Sequence, residues 1–319
     1  MSGQLILALD YGGSKLSAAL LRVGDTAWAD LIRLPSPPGH DAAYDQTTML
    51  RLARQILRGQ RPAAIGVSFG GPVLQSKGLV ILSHHIPGWE STPLAEQLQA
   101  ELGAVAAVAN DANIGALGEW RYGAGKGCVS VFYVTVSTGI GGGWVLDGRI
   151  HDGADGMAGE IGHIVVNRGG AACVCGKCGC LEAEACGPAI ACAARERLAA
   201  ERQAGAGLRA LVTGDIAGLT AVHVAQAARG GDALASSVLD HAARMLGVAL
   251  GGAINLMNPE CVVIGGGVTK SGDRWWRLVR EEARYHALPQ MRVNIQPAAL
   301  GDDAPLWGAV ALAEQALLD

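Results

Sequence analysis

Apolar and polar positions divide the chain into short, fully apolar runs and longer amphipathic stretches. Residues 4–10 (QLILALD) are an apolar run closed by an acid, which predicts a strand covered on both faces. Residues 16–23 (LSAALLRV) follow a Gly-Gly turn and predict its hairpin partner rather than a helix. A helical period then runs from about Asp41 to Arg58, followed by a strand from Ala63 to Phe69. Thr92-Pro93 supplies an N-cap and a first-turn proline for a helix to about Leu102. Strand 105–109 runs straight into Asn110-Asp111 and an amphipathic helix to about Tyr122. These two polar residues therefore stand where a strand ends, the usual binding edge of an open α/β sheet.

The second half repeats this order. Residues 129–136 predict a strand, Ser137 to Gly143 a glycine-rich turn, and Trp144 to Leu146 the start of the returning strand. Pro188 opens a helix, a long helical period spans about Asp232 to Met257, strand 261–264 meets Gly265-Gly266-Gly267, and a last helix covers about 305–318. Two glycine hairpins, one per half, predict a duplicated α/β core.

At 319 residues and half apolar, the chain is long enough for two domains with a cleft between them, where small ligands bind. The 25 basic and 29 acidic residues give a net charge of −4 without a basic block, which argues against a nucleic-acid or anionic-membrane surface. There is no apolar run long enough to span a bilayer and no leader pattern at the start, so the expectation is a cytoplasmic protein. Of the eight cysteines, Cys173, Cys175, Cys178 and Cys180 cluster in one loop, which favours metal over disulfides. Many of the 46 glycines sit in loops directly after strands, where bare backbone lets N–H groups approach a ligand.

Candidate chemistry follows from those loops. Gly12-Gly13-Ser14-Lys15 and Ser137-Thr138-Gly139-Ile140-Gly141-Gly142-Gly143 combine bare backbone with hydroxyls, and each reads either as a tight hairpin turn or as a phosphate cradle. Two other phosphate motifs fail: Gly125-Lys126 is followed by Gly127, Trp120 stands where a P-loop needs its first glycine, and no G-x-G-x-x-G opens a helix after a strand. Asp10 closes the first strand, either as a turn residue or as a carboxylate holding Mg²⁺ through water. Asp111 serves either as a helix cap or as a base for a hydroxyl attacking phosphorus. His163 with the cysteine cluster forms a soft N/S set suited to closed, tetrahedral Zn²⁺, with Cys178 a surplus candidate. Glu160 and Glu182 flank that loop as surface acids or sugar hydroxyl acceptors. His84, His85 and Trp89 form a polar-aromatic group that lines a pocket or is exposed.

With these motifs in place, the chain resembles the ROK family of sugar kinases and sugar-responsive repressors, within the hexokinase/actin-like ATPase superfamily. Asp10 to Lys15 is similar to its D-x-G-G-T-K loop and Ser137 to Gly143 to its G-T-G-I-G-x-G loop. Glu160-Ile161-Gly162-His163 and Cys173-x-Cys175-Gly176-x-x-Gly179-Cys180-x-Glu182 are similar to its two signatures. The resemblance implies a two-domain actin-like ATPase (ribonuclease H-like) fold. It divides the chain into residues 1–113, joined by a C-terminal helix 304–319, and residues 114–303, with a zinc loop at 163–180. It implies ATP, Mg²⁺ and structural Zn²⁺ as cofactors, and a homodimer.

By the same resemblance, Asp111 is the catalytic base. Gly71, Asn110, Asp111, Glu160, His163 and Glu182 bind sugar, with Pro72 beside Gly71 in the G-G-P-V turn. Asp10, Gly12, Gly13, Ser14, Lys15, Thr138, Gly139, Gly141, Gly142, Gly265, Gly266 and Gly267 bind the nucleotide, and His163, Cys173, Cys175 and Cys180 bind zinc. His163 then faces the metal with one ring nitrogen and the sugar with the other. Ser14 stands where the family has Thr, Ser83-His84-His85 where it has Ser-Pro-Asn, and Cys186 where it has Ser. The expected activity is phosphoryl transfer from ATP to a hexose, glucose at its 6-hydroxyl first, with N-acetylmannosamine, N-acetylglucosamine and fructose as alternatives. A sugar-responsive repressor is the rival of another class, disfavoured because the phosphate loop begins within about ten residues of the start, which leaves no room for a helix-turn-helix.

Overall fold

The computed structural model, which describes residues 3–83 and 85–318, places the first strand, β1, at Leu5–Tyr11. Its side chains alternate between two apolar layers, Leu7, Leu9 and Tyr11 in one and Ile6 and Ala8 in the other, which is why the run shows no polar break. The hairpin is as predicted: β2 (Lys15–Arg22) returns antiparallel to β1 with Asp10 opposite Ser17. A third strand, β3 (Asp30–Pro35), extends the edge, and its intermediate burial explains why no apolar run announced it. After helix α1 (Ala42–Leu57), capped by the Asp41 carboxylate, β4 (Ala64–Phe69) pairs parallel with β1. A small hairpin of β5 (Val73–Leu74) and β6 (Leu79–Val80) precedes helix α2 (Leu94–Leu102). Thr92 is not that helix's cap, because its backbone is paired with Val80. Strand β7 (Val105–Asn110) closes the sheet, in the order β3-β2-β1-β4-β7, and helix α3 (Asp111–Tyr122) follows without a break.

The chain divides into two compact units, one of Met1–Tyr133, Gly143–Ala158 and Ala298–Asp319, the other of Val134–Gly142 and Gly159–Pro297. These bounds differ from the 113/114 division read from the sequence. Helix α3 belongs with the first unit because it packs on the C-terminal helix Ala304–Ala316, which itself covers β1 and β4. The approach is close: a Cβ on Gly66 would lie 1.7 Å from the Ala309 carbonyl oxygen, and one on Gly308 would lie 1.9 Å from that of Ile114.

The second sheet has the order β10-β9-β8-β11-β12, formed by β8 (Ser130–Val136), β9 (Ile140–Leu146), β10 (Arg149–Ile150), β11 (Cys261–Gly265) and β12 (Ile295–Pro297). In both sheets the chain's first hairpin lies to one side of a parallel strand pair, as the duplicated core predicts. The returning strand begins at Ile140, earlier than its glycines indicated, since glycine contributes no apolar signal. In the second unit, helices α4 (Leu181–Ala185), α5 (Gly187–Ala200), α6 (Ala206–Val212) and α7 (Ala221–Arg229) lead to the long helix α8 (Ala233–Met257). Asp232 caps α8, whose buried face packs against α9 (Asp273–His286). Among the described residues, no helix is long and apolar enough to cross a membrane.

Candidate functional site

In the first unit, the ends of β1, β4 and β7 bring three predicted segments together. Asp10 lies opposite Ser68, and Phe69 opposite Asn110, so the Asp10–Lys15 turn, the Gly70-Gly71-Pro72 turn and the start of α3 share one sheet edge. The first turn is closed by the Gly12 N–H donating to the Lys15 carbonyl at 3.1 Å, and Gly13 and Ser14 are exposed at its tip. The second is tied to β1 by Gly70, whose N–H donates to the Tyr11 carbonyl at 3.1 Å.

Asp10 is 7% exposed, and burial pushes its carboxyl up to about 6. The Ser68 hydroxyl opposes this, the charge of Asp111 adds to it, and Lys15 and Arg33 offset part of it. The α3 cap is resolved in favour of Asn110, whose Oδ1 accepts the Ala112 N–H at 2.9 Å while its Nδ2 donates to the Gly71 carbonyl at 3.0 Å. Asp111 is exposed on the first helical turn, where its Oδ1 also accepts the Ala112 N–H, at 2.8 Å. Trp89 neither lines a pocket nor is exposed. It is fully buried, edge-on to Tyr11 and Phe69, with ring centroids 5.5 and 4.8 Å away. Its apolar body fits beneath the glycine turns, a placement that neighbouring polar residues concealed. His85 is exposed, and His84 lies outside the described residues.

In the second unit, Thr138 is exposed at the tip of the glycine loop, and Gly139, Gly141 and Gly142 follow into β9. The loop is pinned by Ser137, whose N–H donates to the Gly139 carbonyl at 2.9 Å. Gly265 ends β11 and Gly267 begins a 3₁₀ turn. Between them Gly266 has φ +91°, and a Cβ there would stand 2.3 Å from the Val136 carbonyl, so only glycine fits. Glu160 is exposed at the start of the Ile161–His163 turn. Glu182 on α4 accepts the Ile140 N–H at 2.9 Å, a bond that no sequence spacing signalled.

The metal set converges. Ligand atoms of His163, Cys173, Cys175 and Cys180 all lie within 4.8 Å of one another. His163 Nδ1 is 3.7 Å from Cys173 Sγ, and Cys175 Sγ is 3.6 Å from Cys180 Sγ. Tetrahedral zinc with bonds of about 2.3 Å to sulfur sets such edges at roughly 3.8 Å, so the donor set fits the ion in kind and spacing. The Lys177 backbone N–H draws the Cys175 thiol down to about 7, whereas burial pushes Cys180 up to about 12. His163 Nε2 points the other way, 3.9 Å from Glu160 Oε2. Cys178 is exposed, its backbone bridged to Ala172, and it is not one of the four converging residues.

The repeated α/β sheets with their glycine hairpins define the actin-like ATPase (ribonuclease H-like) fold. Within it the chain belongs to the ROK family, whose pattern matches residues 6–316. It is 36% identical over 322 residues to a glucokinase of Halalkalibacterium halodurans, covering 99% of this chain and 96% of that one. It is 30% identical over 317 residues to an N-acetylmannosamine kinase of Escherichia coli, covering 98% and 99%. Among solved structures it is similar to a ROK family glucokinase from Streptomyces griseus in complex with glucose and AMPPNP. That similarity has a TM-score of 0.81 and 31% identity, and covers 98% of this chain and 99% of that one.

Proposed function

We propose that this chain is an ATP-dependent hexose kinase that transfers the γ-phosphoryl group of ATP to a sugar hydroxyl, with the 6-hydroxyl of glucose as its acceptor. The observation that carries this reading is the pairing of a buried Asp10 with an exposed Asp111 on one sheet edge, beside the Gly12–Lys15 turn. Two neighbouring carboxylates, one buried and one exposed, suit different tasks. The full-length likeness to a glucokinase supports glucose as the acceptor.

Asp111 is the base that takes the proton of the attacking hydroxyl. Asn110, through its hold on the Gly71 carbonyl, shapes the sugar side of that edge. Glu160, His163 and Glu182 receive sugar hydroxyls. In the first unit the Gly12, Gly13, Ser14 and Lys15 turn, and in the second Thr138, Gly139, Gly141 and Gly142, are phosphate-binding segments, and Gly265, Gly266 and Gly267 bind the nucleoside. Asp10 is placed to hold Mg²⁺, which when bound neutralises charge developing on the phosphates. Zinc at His163, Cys173, Cys175 and Cys180 orders the loop and takes no part in the transfer. A cytoplasmic homodimer is proposed from the family resemblance alone, and sedimentation of the purified chain checks the dimer.

The test is a coupled assay with ATP over glucose, N-acetylmannosamine, N-acetylglucosamine and fructose, with Asp111→Ala alongside. Turnover is expected with glucose, and the variant is expected to bind sugar while losing roughly 10²-fold or more in kcat. Near-normal kcat in Asp111→Ala removes the base from this scheme. Turnover confined to an N-acetylhexosamine reassigns the substrate, and sugar-dependent DNA binding without ATP turnover overturns the kinase reading.

A further inference from the structure

Helix α4 faces the glycine loop with more than a surface acid. Glu182 Oε2 accepts the Ile140 N–H at 2.9 Å, and a methyl placed on Gly139 would stand 2.7 Å from that same oxygen. Two further contacts brace the loop. The Gly187 N–H at the start of α5 donates to the Ser137 carbonyl at 2.8 Å. On the other side, a Cβ at Gly162 would lie 2.2 Å from the Ile140 carbonyl oxygen, so the Glu160–His163 turn lies directly against the loop backbone. Ile140 is the residue at which the loop becomes β9, so its peptide orientation sets where the preceding N–H groups point.

The geometry points to a second task for Glu182: it is a positioning residue that holds the Ser137–Gly143 loop in its phosphate-receiving form before any sugar is bound. The inference rests on the kinase reading above. One carboxylate oxygen is committed to the loop, and the other is left for a sugar hydroxyl. Losing the acceptor leaves the N–H of the buried Ile140 without that partner, and the loop then has to be ordered at the expense of nucleotide affinity. A hydrogen bond to a carboxylate is worth roughly tenfold in a binding constant.

The experiment measures AMPPNP binding by calorimetry, with Mg²⁺ and without sugar, on the zinc-loaded wild type and on Glu182→Gln, Glu182→Asp and Glu182→Ala. Gln keeps an acceptor oxygen at the same reach, so its affinity is expected within about threefold of wild type. Asp keeps the charge but falls short by one methylene, so it and Ala are expected about tenfold weaker. Sugar affinity is expected to fall in all three variants. An Ala variant that binds AMPPNP as the wild type does, or an Asp variant that does so while Gln loses affinity, overturns the positioning role. If Ala does not fold, the Asp and Gln variants decide between reach and charge. A wild type that binds no AMPPNP overturns the kinase reading itself.

Discussion

Asp10 shows how one residue can be costly to the fold and suited to its site. Its carboxyl is raised to about 6 by burial, so the folded chain keeps a proton that the unfolded chain releases near its ordinary value of 3.8. The sign follows: stability is fully retained below about pH 4, is lost as pH rises through about 6, and stays lower above that. Asp10→Asn keeps the shape and removes the titration. It is expected to match the wild type near pH 4 and to exceed it by roughly 2–3 kcal/mol at pH 7–8. Thermal unfolding of both proteins across that range checks this, and parallel profiles refute it. That Asp10 closes the first strand just before a Gly-Gly turn was legible from its place after an apolar run. Its burial was not, because it depends on β4, which lies beside Asp10 though distant in sequence.

Elements were legible where their period was strong, and opaque where glycine or tertiary contact carried them. Helices α1 and α8 announced themselves by sustained apolar periods, and each proves to be capped by the aspartate at its start. The βββαβαβ order expected of the first half includes a third strand, but no apolar run located β3, and the two-residue strands of the β5–β6 hairpin gave no signal. Glu119 on α3 was also silent, although it is fully buried. Its Oε2 accepts the N–H groups of Ala124 at 2.8 Å and Ala299 at 3.1 Å, and its Oε1 accepts that of Leu300 at 2.9 Å. One side chain therefore fastens the end of α3 to the segment that leads back into the first unit. Such a charge is tolerated in a core only because every oxygen is occupied. Glu119→Ala would strip the acceptor from three part-buried donors and is expected to cost about 2–3 kcal/mol, read from urea unfolding. Glu119→Gln, retaining one acceptor, is expected to cost less. Equal stability of Glu119→Ala and wild type would show that the staple carries no weight.

At the scale of the whole molecule, the two units are held together internally by different means. The first has apolar layers on both faces of its sheet. In the second, the segment around the cysteines has no such cover: Val174 is 93% exposed, and Ala171, Ala172, Cys175 and Lys177 are exposed as well. Its base is fastened by Glu184, which accepts the Ala171 N–H at 2.8 Å and the Asn167 amide at 3.1 Å and meets His241 of α8 at 2.7 Å. Beyond that clasp the loop is tied by the Cys173 N–H to the Lys177 carbonyl, by the Lys177 ammonium to the His163 carbonyl at 2.7 Å and by a few turn bonds, so a metal at the converging thiols would supply much of its order. Removing zinc with a chelator is therefore expected to raise amide exchange across residues 172–178 by an order of magnitude or more, while β1, β4 and β7 keep their protection. Sugar affinity is expected to fall in the same samples, because His163 carries a metal-facing Nδ1 and, on the opposite side of its ring, an Nε2 directed at Glu160. Unchanged exchange after zinc is lost would show that the loop stands without the ion. Raised exchange with unchanged sugar affinity would detach His163 from the sugar.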